Sequence, residues 1–158
     1  MAAMPVLPTS LPSLTVREAI LDAVYRLVNA FDTANPDLFE SAMTKDAVFD
    51  LNGQIMDGLD AIRTQCFDPV SKLDTTHFIT NARVNIPDGE SAKASVTATA
   101  LAQHFPAQKG LEAGAPNLLA GSLYFIDLVK DETDGLWKAK YWRLKSTWAQ
   151  GDWGVFGK

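Results

Sequence analysis

The second half of the chain is dominated by long β-strand patterns, and this feature constrains the fold more than any other. Four strands are predicted, over residues 75–86, 92–105, 118–130 and 136–148. The turn sequence PDGE follows the first of them and DETDG precedes the last, while a loop rich in Gly, Ala and Pro separates the middle two. Strands that follow one another in this way pair mainly antiparallel, so the sequence predicts a mostly antiparallel sheet.

The first half is predicted to be helical, with one short hairpin. Thr15 and Glu18 form a capping box, and an apolar stripe at helical spacing follows it. Helices are expected over residues 16–32, 36–43 and 59–73. Pro69 is a candidate break in the third helix. Asn52-Gly53 predicts a hairpin turn between two short strands that separate the second helix from the third.

Helices followed by long antiparallel strands are typical of an α+β fold. In this plan the helices pack on one face of a curved sheet and leave a cone-shaped space between the two layers. We expect an extended N-terminal arm over residues 1–14, a single domain over residues 15–150 and a C-terminal tail over residues 151–158. The tail sequence DWGVFGK is a candidate for closing the mouth of a pocket.

Composition limits the kinds of partner. The chain has 158 residues, of which 47% are hydrophobic and 21% charged, as expected for one globular domain. A net charge of −5 without any basic run argues against nucleic acids and anionic membranes as partners. No apolar run is long enough to span a membrane. The single cysteine, Cys66, excludes an internal disulfide and favours a reducing compartment, so cytoplasmic localisation is expected.

Both histidines of the chain fall on neighbouring predicted strands. His77 lies near the start of one strand and His104 near the end of the next, so antiparallel pairing through the PDGE turn brings them together. Alternation places His104 on a face of small residues that includes Ala98, Ala100 and Ala102. Such a face is either covered by bulky helix residues or leaves room for a ligand. The alternative is two unrelated strand histidines.

Asp32 ends the first predicted helix, where the helix dipole favours a cation rather than a carboxylate. It is either a solvated helix end or a residue with another task. An aspartate that accepts a hydrogen bond from a histidine fixes the histidine tautomer and stabilises the imidazolium, which makes a general base. The chain has no zinc spacing, phosphate-binding loop or nucleophile motif, so neither a metal nor a cofactor is expected.

The chain resembles the SnoaL-like branch of the NTF2-like superfamily, in particular scytalone dehydratase and hexachlorocyclohexane dehydrochlorinase. The resemblance covers about residues 15–150 and rests on NAFDTANPDLFESAMTKDAVFDLNG, TTHFITNARVNI, ALAQHFP and DGLWKAKYWRLKSTWAQGD, in this order. It implies three or four helices on a curved sheet with a ligand pocket inside. It also implies that Asp32 and His77 form a catalytic dyad that abstracts a proton without a cofactor, and that His104 is a second pocket histidine.

The chain departs from scytalone dehydratase at the two tyrosines that hold a water molecule in that family. Phe31 and Leu51 stand at those positions, so a different substrate is expected. Phe49 and Leu51 alternate with Asp50 and should point inward while Asp50 points outward. The expected substrate contacts are Phe31, Phe49, Leu51, Asn81, Ser122 and Trp142.

These expectations predict a cofactor-independent lyase or isomerase that acts on a small hydrophobic cyclic substrate of polyketide or terpenoid type. His77 takes a proton, Asp32 orients His77, and His104 donates a hydrogen bond or proton to the developing oxyanion or leaving group. The alternatives are a non-enzymatic protein that binds a hydrophobic ligand and an epoxide hydrolase or cyclase on the same fold. The resemblance also implies a homodimer or homotrimer.

Overall fold

The computed structural model describes residues 5–157. The first helix, α1 (Val16–Asp32), has the predicted bounds and begins at the predicted capping box. The Thr15 side chain accepts a hydrogen bond from the Glu18 amide, and the Glu18 carboxylate accepts one from the Thr15 amide at 2.7 Å. These two bonds satisfy backbone donors that would otherwise be free in the first turn of the helix.

The next two helical segments are shorter than predicted. Helix α2 (Pro36–Ser41) ends early because Met43 already belongs to a strand. The third segment consists of α3 (Leu59–Ile62), a π-helical turn (Arg63–Phe67) and α4 (Asp68–Val70). The predicted end at residue 73 is wrong, because the segment ends at Val70, and its geometry changes over residues 63–67, before the candidate break at Pro69. Pro69 has no amide hydrogen to donate to the preceding turn, and the wide π-helical turn lies directly before it.

Six strands form one open sheet in the order β2-β1-β6-β5-β4-β3. The strands are β1 (Met43–Leu51), β2 (Gln54–Asp57), β3 (Asp74–Asn85), β4 (Lys93–Phe105), β5 (Leu118–Lys130) and β6 (Trp137–Gly151). Every neighbouring pair is antiparallel except β1 and β6, which run parallel. The predicted α+β architecture, with helices on a curved and mostly antiparallel sheet, is confirmed. A 3₁₀ helix (Trp153–Phe156) follows β6.

The core lies between the helices and one face of the sheet. Phe31 of α1 packs edge-on against Phe39 and Phe67, whose rings stack at 4.4 Å between centroids. Both alternatives for the small-residue face of β4 hold, each on a different part of the strand. Ala94, Val96 and Ala98 are buried in the core, Ala100 belongs to the core and also lines a cavity, and Ala102 lines the cavity without belonging to the core.

Two β-bulges in β6 change which tryptophans face the core. Alternation predicts Trp142 and Trp148 on one face and Trp137 on the other. Instead Trp137 and Trp142 are both buried, and Trp148 is 47% exposed. The pairing with β5 shifts register once between the two buried tryptophans and once just before Trp148. Each bulge inserts one residue and reverses the facing of the residues beyond it.

Arg26 is a buried charged residue that ties α1 to its neighbours. Its side chain is 4% exposed and pairs with Asp22 one turn earlier on α1 at 3.0 Å. The two terminal nitrogens donate to the backbone oxygen of Ser41, at the end of α2, and to that of Trp137, at the start of β6. The guanidinium therefore satisfies two carbonyl groups that would otherwise be buried without a donor.

Three further features concern partners. Across residues 5–157, no helix combines the length and apolar character needed to cross a membrane. No group of three or more His, Cys, Asp and Glu side chains in the same range lies close enough together to hold a metal ion. The outer face of the sheet exposes large apolar side chains, among them Phe78, Phe125 and Trp148. The homodimer or homotrimer stays a prediction.

Candidate active site

A cavity of about 380 Å³ opens between α1, the third helical segment and the sheet. Its walls are mainly apolar and aromatic, with Val28, Phe31, Phe49, Leu51, Met56 and Trp142 among them. A smaller set of polar side chains also lines it, and both histidines are among them. A mostly apolar cleft with a small number of polar groups is the usual form of a small-molecule site.

Asp32 and His77 form a closely hydrogen-bonded pair at one end of this cavity. The Asp32 carboxylate closes α1, and β3 begins directly beside it. Asp32 Oδ1 lies 2.6 Å from His77 Nδ1 and accepts a second bond from the Thr75 hydroxyl at 2.8 Å. Asp32 Oδ2 accepts the His77 backbone amide at 2.8 Å. Three donors from β3 therefore hold the carboxylate at the helix end, where the dipole alone would not favour it.

The bond to Asp32 fixes the tautomer of His77. A carboxylate oxygen accepts, so Nδ1 carries the hydrogen and Nε2 keeps its lone pair. The His77 side chain is 9% exposed, lines the cavity and lies 5.8 Å from the Phe31 ring between centroids. This arrangement places an unprotonated nitrogen on an apolar cavity, with a carboxylate behind it to stabilise the imidazolium. It can act as a general base.

His104 lies next to His77, as predicted, although the two residues are not directly paired. Thr75 is opposite His104 and His77 is opposite Ala102, so the two imidazoles meet diagonally at 5.8 Å between centroids. His104 Nδ1 lies 3.2 Å from the Leu118 carbonyl oxygen, which can only accept. Nδ1 therefore carries the hydrogen and Nε2 carries the lone pair.

This tautomer changes the role expected for His104. The side chain is buried, and burial lowers the pKa of His104 because the charged form loses its hydration. A neutral His104 presents an acceptor to the cavity through Nε2. The expectation that it donates a proton to an oxyanion or leaving group does not agree with this tautomer. It is suited instead to accept a hydrogen bond from a substrate hydroxyl.

Five of the six expected substrate contacts line the cavity: Phe31, Phe49, Leu51, Ser122 and Trp142. Asn81 does not, because it is exposed and has a left-handed backbone with φ +53° at a bulge in β3. This extra residue turns the Asn81 side chain away from the face that carries His77. Asp50 points outward as expected, where it accepts the Gly53 amide at 2.8 Å and lies 3.5 Å from Arg143.

Several cavity residues were not found from the sequence. Tyr124 follows Ser122 by two positions on β5, so the alternation that identified Ser122 also places Tyr124 inward. Asn52 and Ser146 line the cavity as well, and the Asn52 amide donates to the Ser146 hydroxyl at 3.0 Å. No sequence pattern joins these two residues, because the parallel pairing of β1 and β6 brings them together. Cys66 also lines the cavity, and burial raises the pKa of its thiol to about 12.

The C-terminal 3₁₀ helix contributes two aromatic side chains to the cavity wall. Phe156 packs against the His104 ring at 5.0 Å between centroids, and Trp153 lies 6.2 Å from Phe156. Both aromatic residues line the cavity, while Trp153 remains 58% exposed. The tail therefore forms part of the cavity wall, and its role as a closing segment stays a prediction.

Known proteins share this sequence and architecture. Residues 12–143 match the family model of the SnoaL-like domain. The chain is 56% identical over 157 residues, 99% of both chains, to "Terrestric acid biosynthesis cluster protein E" of Penicillium crustosum. A solved structure from Kribbella flavida has a TM-score of 0.74 at 19% identity, covering 90% of this chain and 97% of the other.

A hexachlorocyclohexane dehydrochlorinase from Novosphingobium barchaimii has a TM-score of 0.66 at 19% identity, with 87% of this chain and 90% of that one covered. At such low identity the two solved structures establish the fold and nothing more. The family match and the Penicillium relative each extend over most of the chain. The chain therefore belongs to the SnoaL-like family.

Proposed function

We propose that the protein is a cofactor-independent lyase or isomerase in which His77 abstracts a proton from a carbon atom of a small hydrophobic substrate. One observation carries this proposal. The 2.6 Å bond between Asp32 Oδ1 and His77 Nδ1 leaves the other ring nitrogen of His77 as a base on a largely apolar cavity. The dyad needs neither a metal nor a nucleophilic side chain to act.

The chemical step follows from this geometry. The His77 Nε2 lone pair takes the proton, and the electron pair of the C–H bond moves toward an adjacent electron-withdrawing group. The resulting imidazolium is stabilised by the Asp32 carboxylate, which the Thr75 hydroxyl and the His77 amide hold in place. Return of the proton to another carbon gives an isomer, and loss of a leaving group gives an elimination product.

The cavity and the relatives support a substrate class. Its volume of about 380 Å³ lies in the range of small-molecule sites, and its aromatic walls suit a ring system. The 56% identical relative carries a name that places it in a biosynthesis cluster for terrestric acid. A cyclic intermediate of a secondary metabolite, of polyketide or terpenoid type, is the substrate we propose.

Exchange of carbon-bound hydrogen tests the base directly. 2-Tetralone is a small apolar cyclic ketone with acidic hydrogens beside its carbonyl, and their replacement by deuterium in heavy water is followed by proton NMR. We expect the protein to accelerate exchange and His77→Ala to lose about 10²–10⁴-fold of that acceleration. Binding is measured in parallel by calorimetry. If bound 2-tetralone exchanges equally fast with both proteins, His77 is not the base.

The rival classes give other outcomes in the same experiment. A hydrophobic-ligand carrier binds 2-tetralone in both forms and accelerates exchange in neither. An epoxide hydrolase or cyclase needs a carboxylate aimed at a water molecule in the cavity. Among the described residues that line the cavity there is no aspartate or glutamate. The Asp32 carboxylate is already engaged by donors from β3, so the structure does not favour this third class.

A further inference from the structure

Tyr124 is a buried cavity residue with an unused hydrogen-bond donor. Its side chain points inward from β5 and is 2% exposed. Within residues 5–157, the Tyr124 hydroxyl has no hydrogen-bond partner. Two other side-chain atoms in this range, Thr44 Oγ1 and Trp142 Nε1, also lack a partner, and protein atoms enclose both of them completely. The Tyr124 hydroxyl is not completely enclosed, so it opens onto the cavity that Tyr124 lines. A buried hydroxyl is usually bonded, and this one has only the cavity to face.

Ser122, Ser146 and the two histidines, which also line the cavity, are already paired or present acceptors. The Ser122 hydroxyl lies 3.4 Å from the Ser146 hydroxyl, which also accepts the Asn52 amide. His104 presents the lone pair of Nε2, and so does His77. Proton abstraction by a base is helped by a hydrogen-bond donor to the substrate, because negative charge develops on the substrate as the proton leaves. Tyr124 supplies a donor that the two histidines do not.

The surroundings keep the Tyr124 hydroxyl protonated. Burial raises its pKa, and the nearby Cys66 and the Asp32 carboxylate raise it further. Its ring is also held in place, because it packs edge-on against the Trp142 indole at 5.2 Å between centroids. Trp142 is in turn stacked on Phe49 at 3.9 Å. The donor is therefore fixed in position before a substrate arrives, as electrostatic stabilisation requires.

We propose that Tyr124 is the catalytic partner of His77 and donates its hydroxyl hydrogen bond to a carbonyl oxygen of the substrate. This inference rests on the proposed function and narrows it. His77 Nε2 takes the proton from the carbon beside the carbonyl, the C–H electron pair forms a C=C bond, and the carbonyl π pair moves onto oxygen. Tyr124 stabilises that oxygen as an enolate through this hydrogen bond and keeps its own proton.

The substrate class follows from this pairing. The substrate carries a ketone, ester or similar carbonyl next to the carbon that loses its proton. When a C=C bond is conjugated with the enolate, the His77 imidazolium returns the proton to the far carbon of this dienolate, which gives an isomer with no net gain or loss of atoms. If the β-carbon carries a leaving group, collapse of the enolate expels it with its bonding electrons, the carbonyl is regenerated, and the His77 imidazolium gives its proton to the leaving group. Neither course needs an oxidant, a reductant or a second substrate.

The test compares Tyr124→Phe with Tyr25→Phe. Tyr25 is a matched control, because it lies exposed on α1 and does not line the cavity. With 2-tetralone in heavy water, we expect Tyr124→Phe to slow the enzyme-catalysed exchange about 10²-fold, while affinity for the ketone falls less than about tenfold. Tyr25→Phe should exchange at the wild-type rate. Thermal unfolding by circular dichroism checks that each variant is folded.

A second readout reports the hydrogen bond without any reaction. The carbonyl stretch of bound 2-tetralone, measured by isotope-edited infrared spectroscopy, should shift to lower frequency in the wild type and in Tyr25→Phe. It should return toward its value in an apolar solvent in Tyr124→Phe. In His77→Ala the shift should persist although exchange is lost, because Tyr124 donates independently of the base.

The two proposals fail in different ways. If the wild type exchanges 2-tetralone and Tyr124→Phe matches it in both rate and carbonyl frequency, the role of Tyr124 is overturned and the base stands. If bound 2-tetralone does not exchange but its carbonyl shift depends on Tyr124, the proposed function fails and the donor site stands.

Discussion

Two carboxylate pairs on the same helix differ in what they leave free. Arg26 and Asp22 form an ion pair in which the remaining Arg26 nitrogens are bonded to the Ser41 and Trp137 carbonyls, and the guanidinium is 4% exposed. Asp32 and His77 form a closer pair, at 2.6 Å, but one nitrogen of His77 remains on the cavity. The first pair connects α1 to α2 and β6, whereas in the second Nδ1 of His77 is bonded to Asp32 and Nε2 is free to contact a substrate.

An unpaired atom that faces a cavity distinguishes a functional buried polar group from a structural one. Saturated hydrogen bonding is expected of a structural pair, because any unpaired group in the interior costs free energy. An unpaired nitrogen or hydroxyl that faces a cavity needs another explanation, and a substrate atom is the simplest one. We call Asp32–His77 the open pair, because one nitrogen stays unbonded, and Asp22–Arg26 the closed pair, because the guanidinium is bonded on all sides. Loss of the open pair should therefore reduce activity more than stability, and loss of the closed pair should reduce stability more than activity.

Replacing Asp32 by Asn should have the largest effect. The amide keeps the size of the carboxylate, but it no longer fixes the His77 tautomer or stabilises the imidazolium. We expect the exchange rate of 2-tetralone to fall about 10³–10⁴-fold, comparable to the loss in other Asp–His systems. Denaturation in urea should show a folded protein. Exchange within about tenfold of the wild type would mean that Asp32 only holds β3 in place.

Replacing Arg26 by Met should show the opposite pattern. The apolar side chain fills similar space but leaves Asp22 and the Ser41 and Trp137 carbonyls without their donor. We expect the free energy of unfolding to fall by about 3 kcal/mol. The exchange rate per folded molecule should be unchanged. If Arg26→Met had normal stability but exchanged 2-tetralone slowly, Arg26 and Asp22 would belong to the active site and not to the framework of the fold.

Thr75→Val should have an intermediate effect on activity. It removes one of the three donors to Asp32 and keeps the β-branched shape of the side chain. A single hydrogen bond to a charged group contributes about 1.5 kcal/mol, so exchange should slow about tenfold. Thr76→Val is the matched control, because Thr76 is exposed on the other face of β3. Equal rates for the two variants would show that the Thr75 bond does not position the dyad.

His104 should contribute to the change of folding stability with pH. Burial lowers its pKa in the folded state, while His77 and Asp32 face it from β3 and α1. Below about pH 6.5 the unfolded chain binds a proton at this residue more readily than the folded protein does, so stability falls as pH falls. In His104→Gln this contribution is absent. Urea unfolding between about pH 7.5 and 5 should show a smaller acid loss for the variant. Parallel curves would indicate that His104 is not held neutral.

Much of the fold could be predicted because it depends on local signals. The capping box at Thr15 fixed the start of α1, and the alternation along β4 and β5 placed His104 and Ser122 inward. The closeness of His77 to His104 could be predicted from the short connection between β3 and β4. Such signals lie within one element or one hairpin, so a single sequence carries them.

The remaining features depend on how the sheet bends. A β-bulge reverses the facing of every residue beyond it, and the alternation of apolar and polar residues does not indicate where the bulge occurs. This is why Asn81 was assigned to the pocket and Trp148 to the face of Trp142. The tautomer of His104 was also hidden, because it depends on a carbonyl from β5.

Asn81 offers the smallest and most discriminating test of where the site ends. Its backbone is left-handed, a conformation that Gly and Asn tolerate and β-branched residues do not. Asn81→Gly should therefore keep the bulge and change the free energy of unfolding by about 0.5 kcal/mol or less. Asn81→Val should lower it by about 1–2 kcal/mol. In urea titrations the two variants should thus separate, while both exchange 2-tetralone at the wild-type rate. A folded Asn81→Gly that loses exchange would mean that the amide contacts the substrate, and the open region would extend along β3 beyond His77.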